Sequence, residues 1–170
     1  MKPEAATLAA RATTSADLEY IERLENDPQA ARFVTVWTQS QHQAAIDSSD
    51  LHHVILEDSH SETRVGFVLF AGLDNPHRSI ELRRIVIERP GRGHGRLALR
   101  WAKRWAFNER GAHRLWLDVK TFNAAARHLY ASEGFVDEGI LRECERGPDG
   151  YESLVLMSIL EHEYREQEGR

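Results

Sequence analysis

Residues 83–96 hold the densest chemistry in the chain. The apolar, strand-like run Arg83-Arg84-Ile85-Val86-Ile87-Glu88 breaks at Arg89-Pro90 into Gly91, Gly93 and Gly95, spaced two apart, and a helical pattern opens at Arg96. Glycine lets the backbone turn at positive φ without a Cβ clash. Successive N–H groups at a helix start, helped by the helix dipole, form an anion cradle. The chemistry is therefore capture of an anion, and a strand–loop–helix of this kind reads as a diphosphate site. Charge points the same way: residues 83–104 carry eight bases against one acid, Glu88, in a chain of net charge −5. A polyanionic ligand is favoured at such a segment. The acidic remainder of the chain fits a cationic or amine-bearing co-substrate and argues against a general nucleic-acid binder.

Other chemistries are disfavoured by what the chain lacks. Arg96 stands where a dinucleotide fingerprint needs its third glycine, and no Gly-Lys-Ser/Thr phosphate loop occurs. The nine histidines are scattered; His42, His52 and His53 do not sit at ligand spacing with carboxylates, and Cys144 is alone. No metal site and no internal disulfide are expected. No apolar run is long enough for a membrane span and no leader pattern opens the chain, so a cytoplasmic protein is expected. At 170 residues, 41% hydrophobic and 29% charged, a single domain with a substantial core is expected. Its core covers about residues 7–160, with a loose start up to Ala6 and a frayed, charged tail after Glu161.

The elements that must position the glycine loop follow from periodicity. A first strand is predicted over 7–12, then a helix capped by Ser15 and running to Leu24, with Leu18, Ile21 and Leu24 on one side. Asn26-Asp27-Pro28 ends it, and residues 29–46 read as helical in two pieces. Strands over 53–57, 64–73 and 79–88 form an antiparallel meander. After the glycines, 96–108 is helical, with Leu97, Trp101 and Trp105 as the core stripe and Gly111 as the stop. A strand over 114–119 then implies a right-handed parallel crossover. A helix capped by Asn123 runs to Glu133, and two closing strands cover 135–143 and 151–159. On the Asn123 helix, Asn123, Arg127 and Tyr130 are spaced i, i+4, i+7 along one face.

Gly91-Arg92-Gly93-His94-Gly95 after the fourth strand, followed by Asn123-Ala124-Ala125-Ala126-Arg127-His128-Leu129-Tyr130 and the strand-opening Gly134-Phe135, resembles the GNAT superfamily of N-acetyltransferases. The strand and helix order extends the likeness over residues 7–159, and its appearance is similar to the ribosomal-protein-alanine acetyltransferase-like branch. One departure stands out: Pro90 occupies a position where the family commonly has Arg or Gln, which removes a side-chain contact and leaves the backbone cradle.

The resemblance implies an α/β (α+β) GNAT fold: a central mixed, mostly antiparallel sheet of about seven strands, splayed between strands 4 and 5 and flanked by about four helices. It implies acetyl-CoA as co-substrate and direct transfer of the acetyl group to a primary amine, on a protein N-terminus or a small molecule. Ile85, Val86 and Ile87 would hold the pantetheine arm and polarise the thioester. Gly91, Arg92, Gly93, His94, Gly95 and Arg96 would take the diphosphate, with Arg100 either a further contact or a solvated side chain. Asn123, Arg127 and Tyr130 would face the cofactor arm, Tyr130 serving as acid to the leaving sulfur. Glu81 is the expected base, against the competing role of ion pair to a nearby arginine, with Asp118 behind it. Cys144 has no evident activating partner. A homodimer through the late strands is the expected assembly, and a non-catalytic acyl-CoA-binding domain on the same fold is the alternative.

Overall fold

The computed structural model describes residues 7–169; the expected loose start up to Ala6 lies outside them. Seven strands form one sheet: β1 (Leu8–Ala12), β2 (Leu51–Asp58), β3 (Arg64–Ala71), β4 (Ser79–Ile87), β5 (Arg114–Lys120), β6 (Val136–Gly147) and β7 (Gly150–Leu160). Their order is β1-β2-β3-β4-β5-β7-β6, antiparallel throughout except where β4 meets β5. That parallel contact follows from the right-handed crossover through α4 (His94–Arg104). The expected GNAT sheet, splayed at strands 4 and 5, is what the chain forms, with six α-helices among the described residues where about four were expected.

The two faces of the sheet hold two separate apolar layers. On one, α1 (Leu18–Glu25) lays Tyr20, Ile21 and Leu24 against Ile55, Phe67 and Val86. On the other, α4 and the segment after it pack Ala98, Leu99, Ala102, Trp105 and Phe107 over Val68, Phe70, Leu82 and Leu115. The expected stripe shifts here. Trp105 is buried but Leu97 and Trp101 are half-buried, because the face of α4 that meets the sheet is Ala98, Leu99 and Ala102; beyond it the helix widens into a π-turn over Trp105–Glu109, closed by Arg110 N–H to Trp105 O at 3.0 Å.

β4 carries a bulge. Leu69 opposes Arg84 and Phe70 opposes Leu82, so Arg83 has no partner on β3. One extra residue reverses the side-chain alternation. Ile80 and Leu82 face the α4 layer, then Ile85 and Ile87 do, while Arg84 and Val86 turn to the α1 side.

Several boundaries differ from expectation for local reasons. Thr14, not Ser15, begins the first helical segment: its N–H donates to Asp17 Oδ2 at 3.0 Å. Pro28 both ends α1's region and opens α2 (Pro28–Ala31), capped by Asp27, and α3 (Gln39–Ile46) starts separately at Thr38. The tail after Glu161 is helical (α6, Glu161–Glu168). Glu163 accepts the Leu160 N–H, and Tyr164, 2% exposed, stacks on Phe107 at 4.8 Å between ring centres.

Candidate active site

β4 and β5 pair only at Ser79–Arg114, Ile80–Leu115 and Glu81–Trp116. Past Glu81 the strands diverge, and the unpaired edge of β4 faces a cleft of about 1380 Å³. Ile85, Val86, Ile87, Gly91 and Gly95 line it, with Asn123, Ala126, Leu129 and Tyr130 from the region of α5 (Ala124–Ser132) and Asp118 and Lys120 from β5. The Phe33–Trp37 stretch between α2 and α3 closes the side away from α4.

The glycine loop behaves as its composition requires. Gly91 and Gly93 have φ of 81° and 83°, which L side chains rarely adopt, and a Cβ on either would meet nothing within 4 Å. Gly93 caps α4 without a side chain, and the first amide turned back into the helix is Leu97 N–H, bonded to Gly93 O at 3.2 Å. The amides of His94, Gly95 and Arg96 therefore donate to nothing among the described residues. His94 Nδ1 is also buried without a partner. Free amides in open space at a helix start fit a diphosphate, so the residues present fit coenzyme A.

Two arginines turn elsewhere. The Arg96 guanidinium, expected on the diphosphate, bonds Glu133 and Ser132 of the α5 end. Arg100 joins it on Glu133 at 3.0–3.1 Å. A buried carboxylate outcompetes the open loop for these side chains. Arg127 also leaves the cleft, donating to Thr121 O at 3.2 Å and reaching Asp137 at 3.4 Å. Of the three residues expected on one helix face, Asn123 and Tyr130 line the cleft and Arg127 does not; the Asn123 side chain caps the helix by accepting Ala126 N–H at 3.2 Å. Arg92 is exposed in the loop and lines no wall.

Tyr130 is 8% exposed, and its hydroxyl makes no hydrogen bond among the described residues. That oxygen is not among the sealed, partnerless polar atoms, so it opens to the cleft. Burial, and then the negative charge of Asp118, push its pKa upward, which keeps the proton on oxygen.

The carboxylates divide by their partners. Glu81 is held by Arg83 at 2.7 and 3.1 Å, the ion-pair role weighed for it from sequence. Glu145 bonds Lys120, which also bonds Glu152 at 2.7 Å. Asp118 has no ion pair or hydrogen bond among the described residues. The cleft walls remove part of its water; that desolvation, and then the charges of Glu81 and Glu145, raise its pKa. The polar side chains of β5, Asp118 and Lys120, were the available sequence signal for this wall: charged residues inside a central strand need a reason.

The wall on the α1 side is a buried polar chain that sequence spacing did not disclose. Glu25, fully buried, accepts from Arg84 Nη1 at 2.7 Å, from Trp37 N–H at 2.8 Å and from His42 Nε2 at 3.2 Å. His42 Nδ1 lies 3.1 Å from His53 Nε2, and His53 Nδ1 lies 3.0 Å from Thr13 Oγ1. With Glu25 as acceptor, the neutral chain has one consistent polarity: Thr13 O–H donates to His53, His53 to His42, and His42 to Glu25. The Arg84 guanidinium stacks on Trp37 at 4.3 Å. Among the described residues, no group of three or more His, Cys, Asp and Glu is set to hold a metal ion, and no helix is long and apolar enough to cross a membrane.

A sheet opened between parallel strands, a capless glycine-started helix and a tyrosine facing the opening together define an acyl-CoA-dependent transferase site. The chain belongs to the acetyltransferase (GNAT) family, whose model matches residues 18–135, and it is an N-acetyltransferase that uses acetyl-CoA. Among individual proteins it is similar to spermidine N(1)-acetyltransferase of Escherichia coli strain K12, 27% identical over 95% of this chain and 90% of that one. The Vibrio cholerae spermidine N-acetyltransferase solved with CoA and spermine superposes with a TM-score of 0.84 at 27% identity, covering 94% of this chain and 98% of that one. A dodecameric structure of the Vibrio cholerae enzyme gives 0.81 at 26% identity over 95% and 98%. These relatives are spermidine acetyltransferases, whereas the sequence resemblance was drawn to the ribosomal-protein-alanine acetyltransferase-like branch.

Proposed function

We propose that this chain acetylates a small polycationic amine of the polyamine type by direct transfer from acetyl-CoA. The observation that carries this is that one cleft, at the splayed strands, is lined by both the open Tyr130 hydroxyl and the Asp118 carboxylate, which has no ion pair among the described residues. The names of the relatives support the acceptor class, and Asp118, the carboxylate of this wall with no ion pair among the described residues, supplies a negative charge for a cationic amine. In this reading the α4 amides and His94 hold the diphosphate, and the free edge of β4 at Ile85–Ile87 aligns the pantetheine arm. Asp118, rather than the arginine-bound Glu81, accepts the proton the amine must lose. The amine nitrogen attacks the thioester carbonyl, the carbon–sulfur bond breaks as the amide forms, and Tyr130 gives its proton to the departing sulfur. Cys144, exposed on β6, takes no part. The chain works as one domain in the cytoplasm and assembles as a homodimer or higher oligomer, as the dodecameric relative suggests.

The test is a thiol-release assay with acetyl-CoA and an acceptor panel of spermidine, spermine, an alanine-initiated peptide and single amino acids. Polyamine-selective turnover is expected. Preference for the peptide would restore the protein N-terminus as acceptor. CoA binding with no turnover on any acceptor would favour the non-catalytic acyl-CoA-binding domain.

A further inference from the structure

Glu133 sits at the C-terminal end of α5, three residues beyond Tyr130, with its side chain 5% exposed. Three cations from one face of α4 converge on it: Arg96, Arg100 and Lys103, spaced i, i+4, i+7. Lys103 Nζ lies 3.3 Å from the carboxylate and also donates to the Glu133 backbone carbonyl at 2.7 Å and to Gln167 of α6 at 3.2 Å. The Glu133 N–H and the Phe135 N–H both bond the carbonyl of Tyr130, at 3.1 and 3.0 Å. Arg96 joins two roles: its amide is the third of the free α4 amides, and its side chain grips Glu133. Three cations on one buried carboxylate exceed what surface ion pairing supplies, since burial weakens solvent screening.

We infer that Glu133 is a positioning residue: its clasp on Arg96, Arg100 and Lys103 fixes the helix that presents Tyr130 against the helix whose amides hold the cofactor diphosphate. This inference rests on the proposed roles of Tyr130 and the α4 amides. The clasp spans the two ends of the cofactor, so loosening it moves the acid relative to the sulfur, and a shift on the order of 1 Å at a reacting group costs up to about 100-fold in rate.

Steady-state kinetics and calorimetric CoA binding on Glu133→Gln, Tyr130→Phe and the double variant test this, at a temperature where the CoA stoichiometry shows every protein fully folded. Glu133→Gln should lower kcat by about 10- to 100-fold and weaken CoA binding. In the Tyr130→Phe background it should have little further effect on kcat, because a misplaced acid and a missing acid are the same defect. A purely structural role predicts equal losses in both backgrounds, and that result would overturn the inference. So would unchanged kcat with tighter CoA binding, which would mean Glu133 only keeps the arginines off the phosphates. If Tyr130→Phe is fully active, the acid assignment fails separately; weaker CoA binding in Glu133→Gln then keeps the clasp, and unchanged binding removes it. Should Glu133→Gln not fold, Arg100→Gln, whose side chain is 60% exposed, replaces it in the same cycle with the same outcomes at smaller amplitude.

Discussion

At the residue scale, the cleft separates groups by what already holds them. Glu81 and Arg83 neutralise one another across two positions of one strand, whereas Asp118, exposed at the opening, has no ion pair among the described residues. Tyr130→Phe is expected to lower kcat by about 10- to 1,000-fold with CoA affinity little changed, the range for a lost general acid. Asp118→Asn should remove the low-pH limb of the kcat/KM profile. The carboxylate must be ionised to accept a proton, so wild-type activity rises with pH through its elevated pKa. Glu81→Gln should leave that limb in place. A profile that moves with Glu81 and not with Asp118 would reverse the assignment. Arg96 and Arg127, expected at the ligand, and Arg100, read as either a contact or a solvated side chain, each bond an oxygen of the protein: Glu133 for Arg96 and Arg100, Thr121 O for Arg127.

At the scale of elements, the start of α4 is where sequence and geometry meet most directly. Gly93 holds a left-handed cap that a side chain would strain by about 1–2 kcal/mol. Gly93→Ala should lose about that much stability in urea titration and bind CoA more weakly, with no steric contribution, since its new methyl would meet nothing within 4 Å. Stability unchanged from wild type would mean the loop relaxes out of the left-handed region. The cradle and the Asn123 cap were legible because they depend on neighbours within four residues. α6 was not: its anchoring rests on one aromatic, Tyr164, against Phe107, inside a run of charges that reads as solvated tail. The π-turn at Trp105–Glu109 was hidden too, since i→i+5 bonding leaves no mark on a 3.6-residue period.

For the whole molecule, the antiparallel meander and the parallel crossover were readable from alternation and the crossover rule, and the splayed sheet from the family resemblance, while the buried chain from Thr13 to Arg84 was not. It joins the residue after β1 to β2, α3, α1 and β4, and no sequence window contains more than a fragment of it. Its effect on stability has a sign. Burial above all, and then the neighbouring His42 ring and the Arg84 guanidinium, pull the His53 pKa from 6.5 down to about 3. Below pH 6.5 the unfolded chain takes up a proton that the folded chain refuses, so stability is full above about pH 6.5 and is lost as pH falls toward 3. The slope is about 1.4 kcal/mol per pH unit for one proton. Urea midpoints between pH 6.5 and 5, above the range of the depressed carboxylates, should fall more steeply in wild type than in His53→Gln. Equal slopes would place the proton uptake elsewhere.

The unopposed Arg83 carries a consequence for how this enzyme tolerates change in length. Leu82 and Arg84 pair with Phe70 and Leu69, neighbours that face opposite ways, so they already stand as consecutive residues of a regular strand would. Deleting the Arg83 codon would straighten the strand and keep Arg84 toward Glu25 and Ile85 toward the oily layer beneath α4. What the extra residue contributes is the bend itself, so its loss would be read in the aperture of the wedge rather than in which side chains line it.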